Sequence, residues 1–376
     1  MDPTEQVVER EPIDVNAARL PSILRNGLHR ADVGYVLHYD ETNNIRRLHL
    51  EANAFNVPVL NCWVLGGFGR RDETPIDLDP LRARARIQPN AEELKFALFG
   101  KGDFPTVLGS RKLEVFLEWA LEQELLVHYV ALDPFYWSVV DVVDSVLAAG
   151  EMPDGFDESL KSDLSTVLRT DRARTAALMA RFDYPDLRPE NRHAFMSELI
   201  EFASDYADHL APFGYQMLRG LLQMGRHNPL PFIEGGKARV LIDGFRDFFL
   251  ERICILKNAS HIFDAEDVVS GELGALTLTD NGAPFCNYRF VARSHDEPGV
   301  QVSDVLVGLL GRFFSWVSES TEEEVLDLKA NLSPAQAQNH KRLIRLLEAS
   351  YAENAAFTHT IISLADRHKA ALFLDF

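Results

Sequence analysis

Three aspartates lie in or at the end of apolar segments, where a carboxylate needs a partner if it is buried. Asp40 ends the apolar segment GYVLHYD, and Asp243 ends the short apolar segment ARVLID. Asp304 lies in VQVSDVLVGLL, which would be apolar almost all round if it formed a helix. A buried carboxylate needs a cation, a metal ion or hydrogen-bond donors, because burial of an unpaired charge is costly. Asp304 in particular therefore indicates a metal-binding or catalytic role.

Each aspartate also has a structural interpretation. Asp40 can cap a turn through its side chain, and Asp243 can cap the helix-like segment that follows it. Asp304 shares a helical stripe with Gln301 and Arg312, so an internal Asp–Arg pair is an alternative to metal binding. The apolar context favours chemistry over structure only for Asp304.

Three strand-like segments in quick succession would position Asp40. Residues 34–40, 45–52 and 57–65 are apolar or alternate in polarity. Thr42-Asn43-Asn44 links the first two segments and suits a hairpin turn, because Asn tolerates positive φ. The pattern predicts an antiparallel meander at the start of an α/β domain. A helix at 111–124 and a strand at 125–132 are predicted to follow.

The middle of the chain is predominantly helical in pattern. About ninety residues with helical periodicity are too many for one crossover helix, so we predict a helical insertion at about 135–233. Further strands are predicted at 238–243 and 285–292, and an apolar helix at 299–317. The expected organisation is an N-terminal arm at 1–33, an α/β domain at 34–317 that contains the insertion, and a C-terminal helical extension at 318–376.

Composition limits the possible partners. The formal charge is −19, from 38 Lys and Arg against 57 Asp and Glu, so nucleic acid could bind only at a local basic patch. Arginines cluster at 82–86 and 169–181, although in so acidic a chain they more often form internal salt bridges. Three scattered cysteines and an acidic N-terminus without an apolar core predict a cytoplasmic protein with no membrane segment. Phosphate-loop, zinc-protease, serine-hydrolase and dinucleotide-binding motifs do not occur in the sequence.

Four short motifs in this order resemble the bacterial domain-of-unknown-function family 3800, which is regarded as ribonuclease H-like. The segments that carry the resemblance span about 34 to 317. They are Tyr39-Asp40-Glu41-Thr42, Glu93-Leu94-Lys95, Val240-Leu241-Ile242-Asp243, and Tyr288-Arg289-Phe290-Val291 leading to Gln301-Val302-Ser303-Asp304. Thr42-Asn43 replaces the family's Ser-Gly, Ser303 replaces Ala, and Ser294-His295 stands where Ser-Lys is usual.

The resemblance implies a ribonuclease H-like mixed sheet with flanking helices and a carboxylate cluster on one edge. The implied catalytic residues are Asp40, Glu93, Asp243 and Asp304, and the implied metal ligands are Asp40, Glu41, Asp243 and Asp304. Such ligands suit two Mg²⁺ or Mn²⁺ ions. Lys95, Gln301 and His295 are the expected substrate contacts, with Lys95 either neutralising phosphate or pairing with Glu93.

The first hypothesis is therefore a metal-dependent nuclease that acts on DNA or RNA, with a role in defence suggested by the family alone. A second is a non-enzymatic component that binds another protein through the helical insertion, and a third is a hydrolase of small nucleotides. The long helical tail is compatible with a homodimer.

Overall fold

The computed structural model describes residues 12–88, 90–149 and 155–375. Its strands are β1 (Ile13–Asp14), β2 (Val36–Thr42), β3 (Arg47–His49), β4 (Trp63–Arg70), β5 (Leu126–Leu132), β6 (Val240–Asp243), β7 (Ser260–Phe263), β8 (Leu278–Asp280), β9 (Ala283–Pro284), β10 (Tyr288–Phe290) and β11 (Thr358–Ile361). Its helices are α1 (Val15–Asn26), α2 (Asp79–Arg84), α3 (Phe104–Leu108), α4 (Arg111–Glu122), α5 (Pro134–Ala149), α6 (Asp157–Thr170), α7 (Arg172–Arg181), α8 (Arg192–Asp205), α9 (Pro212–Gly225), α10 (Arg246–Ile255), α11 (Asp267–Gly274), α12 (Pro298–Glu319), α13 (Glu322–Ala330), α14 (Pro334–Glu353) and α15 (Leu364–Leu374).

The chain is a mixed α/β protein built around a six-stranded mixed sheet. The strand order is β10-β7-β2-β4-β5-β11. Strands β2, β4 and β5 form an antiparallel meander. Strands β7 and β10 continue the sheet in parallel on the other side of β2, and β11 adds in parallel to β5. Strand β2, which carries Asp40, therefore lies inside the sheet with a neighbour on each side.

The predicted meander is wrong in its second strand. Strand β3 does not pair with β2 but forms a separate two-stranded sheet with β6. Positive φ angles at Asn43 (58°) and Arg46 (52°) turn the chain away from β2 after its last residue. The next strand of the meander, β4, begins at Trp63 rather than at residue 57, and it is buried along most of its length, as an interior strand must be.

Helix α12 covers one face of the sheet and packs against β2 and β4. The two layers approach closely because glycines face the contact. A Cβ atom on Gly67 would lie 2.1 Å from Ser303 Oγ, and one on Gly299 would lie 2.2 Å from the His38 ring. By length and composition α12 could cross a membrane, but 78% of its apolar window is buried within the fold, as in the core helix of a soluble protein.

The chain between β5 and β6, where an insertion at about 135–233 was expected, is helical. It consists of α5 to α9, in which α5 packs on α6 and α8 packs on α9. Residues 150–154, where a break was expected, lie outside the described residues.

Both ends of the chain are more ordered than expected. Residues 1–11 of the predicted arm lie outside the described residues, but α1 is a capped helix that packs on α10. Asp14 accepts hydrogen bonds from the first turn of α1, and Gly27 ends the helix at a φ of 59°. The predicted C-terminal helical extension also contains β11, whose short Thr-His-Thr-Ile segment lies between two helices and completes the main sheet. Residues after 318 are thus part of the α/β layer.

Candidate functional site

Asp40 and Asp264 occupy neighbouring positions near the carboxyl ends of two adjacent parallel strands. Tyr39 of β2 pairs with Phe263 of β7, and the next residues along the two strands are Asp40 and Asp264. The Asp264 backbone N–H donates to the Tyr39 carbonyl over 3.1 Å. Paired positions on adjacent strands lie about 5 Å apart and face the same side, so the sheet holds these two side chains close together.

Helix α12 brings a third carboxylate over these strand ends. The Ser303 hydroxyl donates to the His38 carbonyl over 3.2 Å and accepts from the Phe68 N–H over 3.1 Å. These bonds fix the helix on β2 and β4 one residue before Asp304. The three carboxylates of Asp40, Asp264 and Asp304, which we call the acidic cluster, influence one another electrostatically.

Burial raises the pKa of Asp40 well above its ordinary value, and the carboxylates of Asp304 and Asp264 raise it further. Its Oδ1 accepts the backbone N–H of Glu41 over 2.6 Å. Its Oδ2 is buried and has no hydrogen-bond partner within the described ranges of the chain. A buried carboxylate oxygen that lacks a donor or cation is costly, so this atom marks the place where the cluster lacks positive charge.

Lys95 is the cation that contacts the acidic cluster. Its Nζ lies 3.4 Å from Asp304 Oδ2 and 3.2 Å from Glu93 Oε2, so it forms the pair with Glu93 that was one of the two roles considered for it from the sequence. Desolvation lowers the pKa of Lys95, but the charges of Asp304 and Asp40 outweigh it and raise the pKa. The Phe96 N–H also donates to Asp304 Oδ1 over 2.6 Å. Burial raises the pKa of Asp304, while this bond and Lys95 oppose the rise.

Gln301 and His295 hold the segment that presents Lys95. The buried Gln301 amide accepts from the Leu94 N–H over 3.0 Å and donates to the His295 carbonyl over 2.9 Å. A ring nitrogen of His295 lies 2.8 Å from the Glu92 carbonyl oxygen. These contacts give both residues a positioning role, and the substrate contact expected from the sequence stays a prediction.

Glu41 points to the opposite face of β2, as alternation along a strand requires. Its carboxylate accepts hydrogen bonds from Asn44 Nδ2 over 2.5 Å and from Trp63 Nε1 over 3.2 Å. Burial raises the pKa of Glu41, and these two donors oppose the rise. Glu41 is therefore satisfied by its own neighbours, although it shares an open cleft of about 200 Å³ with Asp40, Asp264 and Glu266.

The structure does not bring Asp243 to the acidic cluster. It ends β6 in the small sheet, where its carboxylate lies 2.7 Å from Arg47 and 3.1 Å from Lys237. Hydrogen bonds from these two cations lower the pKa of Asp243. Asp243 and Asp264 both come at the end of a short strand, and the prediction took the one that lies outside the main sheet.

Asp264 is the site residue that the sequence prediction missed. Its strand, β7, has only four residues and follows a helix and a short turn, so periodicity could not reveal it. The usable signal was the apolar pair Ile262-Phe263 directly before an aspartate. Asp264 Oδ1 accepts the Ser294 hydroxyl over 2.6 Å, which fixes the carboxylate from the segment before α12.

The acidic cluster is not closed around a metal position. Within residues 12–88, 90–149 and 155–375, no three His, Cys, Asp or Glu side chains converge closely enough to hold one ion. The donors are nevertheless all carboxylate oxygens, which Mg²⁺ and Mn²⁺ prefer. Metal binding would require the side chains of the acidic cluster to draw together.

Both arginine clusters named from the sequence are largely engaged in internal contacts. Arg84 pairs with Glu118 and Glu122, and Arg82 donates to backbone carbonyls and to Gln301. The insertion arginines form the ion pairs Arg169–Asp133, Arg172–Glu319, Arg174–Asp205 and Arg181–Glu198. Arg82 and Arg86 form no ion pair within the described residues, so part of the 82–86 cluster is not neutralised internally.

Comparison with protein-family models, with curated proteins and with solved structures found no match for this chain. Its function is therefore inferred from its own geometry.

Proposed function

We propose that the chain is a metal-dependent phosphodiester hydrolase, a nuclease, that uses the acidic cluster to bind Mg²⁺ or Mn²⁺. The observation that carries the proposal is the buried, unpartnered Asp40 Oδ2 beside two further carboxylates. A structural carboxylate would be expected to have a donor or a cation on each oxygen. Three carboxylates from β2, β7 and α12 that share one lysine leave negative charge for a bound cation to balance.

The sheet order supports a ribonuclease H-like assignment. An antiparallel meander whose first strand lies in the middle, extended by two parallel strands, is the arrangement of ribonuclease H-like sheets. In this chain those strands are β2, β4 and β5, followed by β7 and β10. The resemblance to the family-3800 motifs points in the same direction, with Asp264 taking the place first given to Asp243.

The residues of the chain would hold and orient the metal ligands. The Glu41 and Phe96 backbone N–H groups and the Ser294 hydroxyl each fix one oxygen of a cluster carboxylate. That leaves the second oxygen of Asp40 and of Asp264 for a cation, while the second oxygen of Asp304 contacts Lys95. Bound Mg²⁺ or Mn²⁺ would supply an activated water and stabilise charge on the phosphate during an in-line displacement.

Lys95 lies at the edge of the cluster, with its side chain about half-exposed. An ammonium held between Glu93 and Asp304 can either release Asp304 to a metal or stay and attract a phosphate oxygen. The proposed role of Lys95 is to neutralise phosphate charge next to the carboxylates.

The proposal is tested with the purified chain, labelled single- and double-stranded oligonucleotides, and MnCl₂ or EDTA. Cleavage should require the metal, and Asp40→Asn should abolish it. The matched control is Asp247→Asn, since Asp247 is an exposed carboxylate on α10 paired only with its neighbour Arg246. Hydrolysis of free nucleotides without oligonucleotide cleavage would favour the small-nucleotide alternative. Absence of both Mn²⁺ binding and cleavage would refute the proposal that the chain is a metal-dependent hydrolase.

A protein partner on the insertion is a second candidate. Phe213 and Met224 lie three turns apart on α9 and are 67% and 37% exposed, and Phe232 nearby in sequence is 54% exposed. Exposed apolar side chains on one face of a helix can form part of a protein-binding surface when they lie in one patch. Co-purification that depends on Phe213 but not on Asp40 would support a binding function separate from catalysis.

A further inference from the structure

One arginine beside the acidic cluster is held by neutral groups. Arg312 of α12 is half-buried, and its Nε donates to the Gly102 carbonyl over 2.9 Å. Its Nη1 lies 3.4 Å from the Gly308 carbonyl, and its guanidinium carbon lies 4.2 Å from the centre of the Phe96 ring. No carboxylate within the described stretches of the chain lies at ion-pair distance from it.

A second cation accompanies it. Lys101 precedes Gly102, the residue whose carbonyl holds Arg312, and its side chain is exposed. It too forms no ion pair in the part of the chain that the structure describes. These two side chains, which we call the basic flank, have no carboxylate at ion-pair distance among the described residues, unlike Arg84 and the arginines at 169–181.

The basic flank is tied to the acidic cluster through one residue. The Phe96 backbone donates to Asp304, and the Phe96 ring packs against Arg312 and over Gly308. Eight residues separate Asp304 from Arg312 on one helix, which is about 12 Å along its axis. The two groups also lie on neighbouring stripes of α12, so a ligand at the cluster could extend along the helix to the arginine.

We infer that the basic flank binds a phosphate of a polynucleotide strand, more than one nucleotide step away from the bond that the acidic cluster would act on. Arg312 and Lys101 would be substrate-binding residues, and the substrate would be a nucleic acid strand, not a single nucleotide. The inference rests on the proposed function.

Geometry favours a strand. The distance of about 12 Å along α12 is longer than one nucleotide step, so a ligand that reaches both groups needs more than one phosphate. A nucleotide monophosphate carries its phosphate charge at one end only. The free edge of the Arg312 guanidinium suits phosphate oxygens, and its contacts to Gly102 and Phe96 hold it in place before the substrate arrives.

The experiment measures binding of a fluorescent 12-nucleotide strand by anisotropy, with Mn²⁺ present and Asp264→Asn in every protein to prevent cleavage. Arg312→Gln should weaken binding by roughly tenfold, the effect of one charge-assisted contact. It should also reduce the slope of log affinity against log salt by about one. Arg312→Lys should keep the salt slope while losing part of the affinity.

Two further variants guard against misfolding. Lys101→Gln changes an exposed side chain and should also lower the salt slope without changing the melting temperature. Arg70→Gln is the matched control, because Arg70 likewise donates to backbone carbonyls but lies at the other end of β4. Its affinity should equal that of the parent.

The outcomes separate this inference from the proposed function. Metal titration by calorimetry of Arg312→Gln, with Asp264 intact, should match wild type. If the parent binds Mn²⁺ and the strand but Arg312→Gln and Lys101→Gln bind it equally well, the basic flank is refuted and the nuclease stands. If wild type binds neither Mn²⁺ nor the strand, the proposed function fails and the inference fails with it.

Discussion

Asp243 is the last residue of β6 and Asp264 directly follows β7, and the surroundings of these two aspartates differ in every respect that decides a function. Asp243 ends β6 in a two-stranded sheet at the surface, with two cations at hydrogen-bond distance. Asp264 follows β7 in the main sheet, next to Asp40, and the hydrogen bond to one of its oxygens comes from a neutral serine. The first carboxylate is neutralised within the fold, whereas the second adds to a charge that the fold leaves uncompensated.

The comparison shows that a carboxylate at a strand end does not by itself make a binding site. The neighbouring elements decide the outcome, because they place either further carboxylates or cations next to it. Around Asp264 the neighbours β2 and α12 contribute Asp40 and Asp304, while around Asp243 the neighbours contribute Arg47 and Lys237. The following predictions test that distinction.

The largest difference is expected in catalysis. Asp264→Asn should lower metal-dependent oligonucleotide cleavage by at least about 100-fold, because loss of a ligand carboxylate weakens both metal binding and its charge stabilisation. Asp243→Asn should remain within about twofold of wild type. Initial rates at saturating Mn²⁺ measure both. Equal losses in the two variants would show that the two strand ends are equivalent after all.

Metal affinity should depend steeply on pH. Protons compete with a cation for Asp40, whose pKa is raised first by burial and then by its neighbouring carboxylates. Mn²⁺ affinity should therefore fall as the pH drops through that raised value, well above the ordinary value of 3.8. Calorimetric titrations between pH 5 and pH 8 measure this (roughly the range in which most proteins stay folded). A flat profile would mean that Asp40 stays ionised without metal.

Removing the unsatisfied charge should stabilise the metal-free protein. A carboxyl group with a raised folded pKa favours the folded state below its unfolded pKa, and this contribution is lost as the pH rises through the folded value. Asp40→Asn should thus raise the free energy of unfolding by about 1–3 kcal/mol at neutral pH, and by progressively less towards pH 4. Thermal unfolding in EDTA measures it, and Mn²⁺ should stabilise only wild type.

The smallest effect is expected at the other strand end, with the opposite sign. The pKa of Asp243 is lowered by hydrogen bonds from Lys237 and then Arg47, so its contribution is present above its unfolded pKa and lost as the pH falls through the folded value. Asp243→Asn should destabilise by less than about 1 kcal/mol at neutral pH, because the pair is exposed. Denaturant titration at pH 7 and at low pH measures the difference. If Asp243→Asn stabilised the protein, Asp243 would not be neutralised by Arg47 and Lys237 as described above.

The elements with a strong hydrophobic pattern could be predicted from the sequence. The apolar helix around Asp304 and the strand that contains Asp40 lie where periodicity placed them, and the chain between β5 and β6 is helical. These elements are long or continuously apolar, so local pattern and final packing demand the same structure.

Pairing between distant segments could not be predicted. Residues 47–49 alternate as a strand should, but nothing local indicates that they pair with β6 and not with β2. Strands β7 and β11 have four residues each, too few for a period to appear. Asp264 was missed for that reason, whereas Asp243 was chosen from the six-residue segment 238–243, of which Val240–Asp243 forms a strand as short as β7. The neutralising role of Arg47 and Lys237 depends on the same unpredictable pairing.

The edge strand β11 has a consequence for how the protein is made. It pairs with β5, so the sheet is complete only after residues near 360 have been synthesised and have paired with residues near 130. Contacts over such separations slow folding and leave apolar strand edges exposed while the ribosome is still translating. The nascent chain should therefore depend on chaperones until its last helices emerge, and shortening the protein after residue 353 should cause aggregation, not merely loss of a tail.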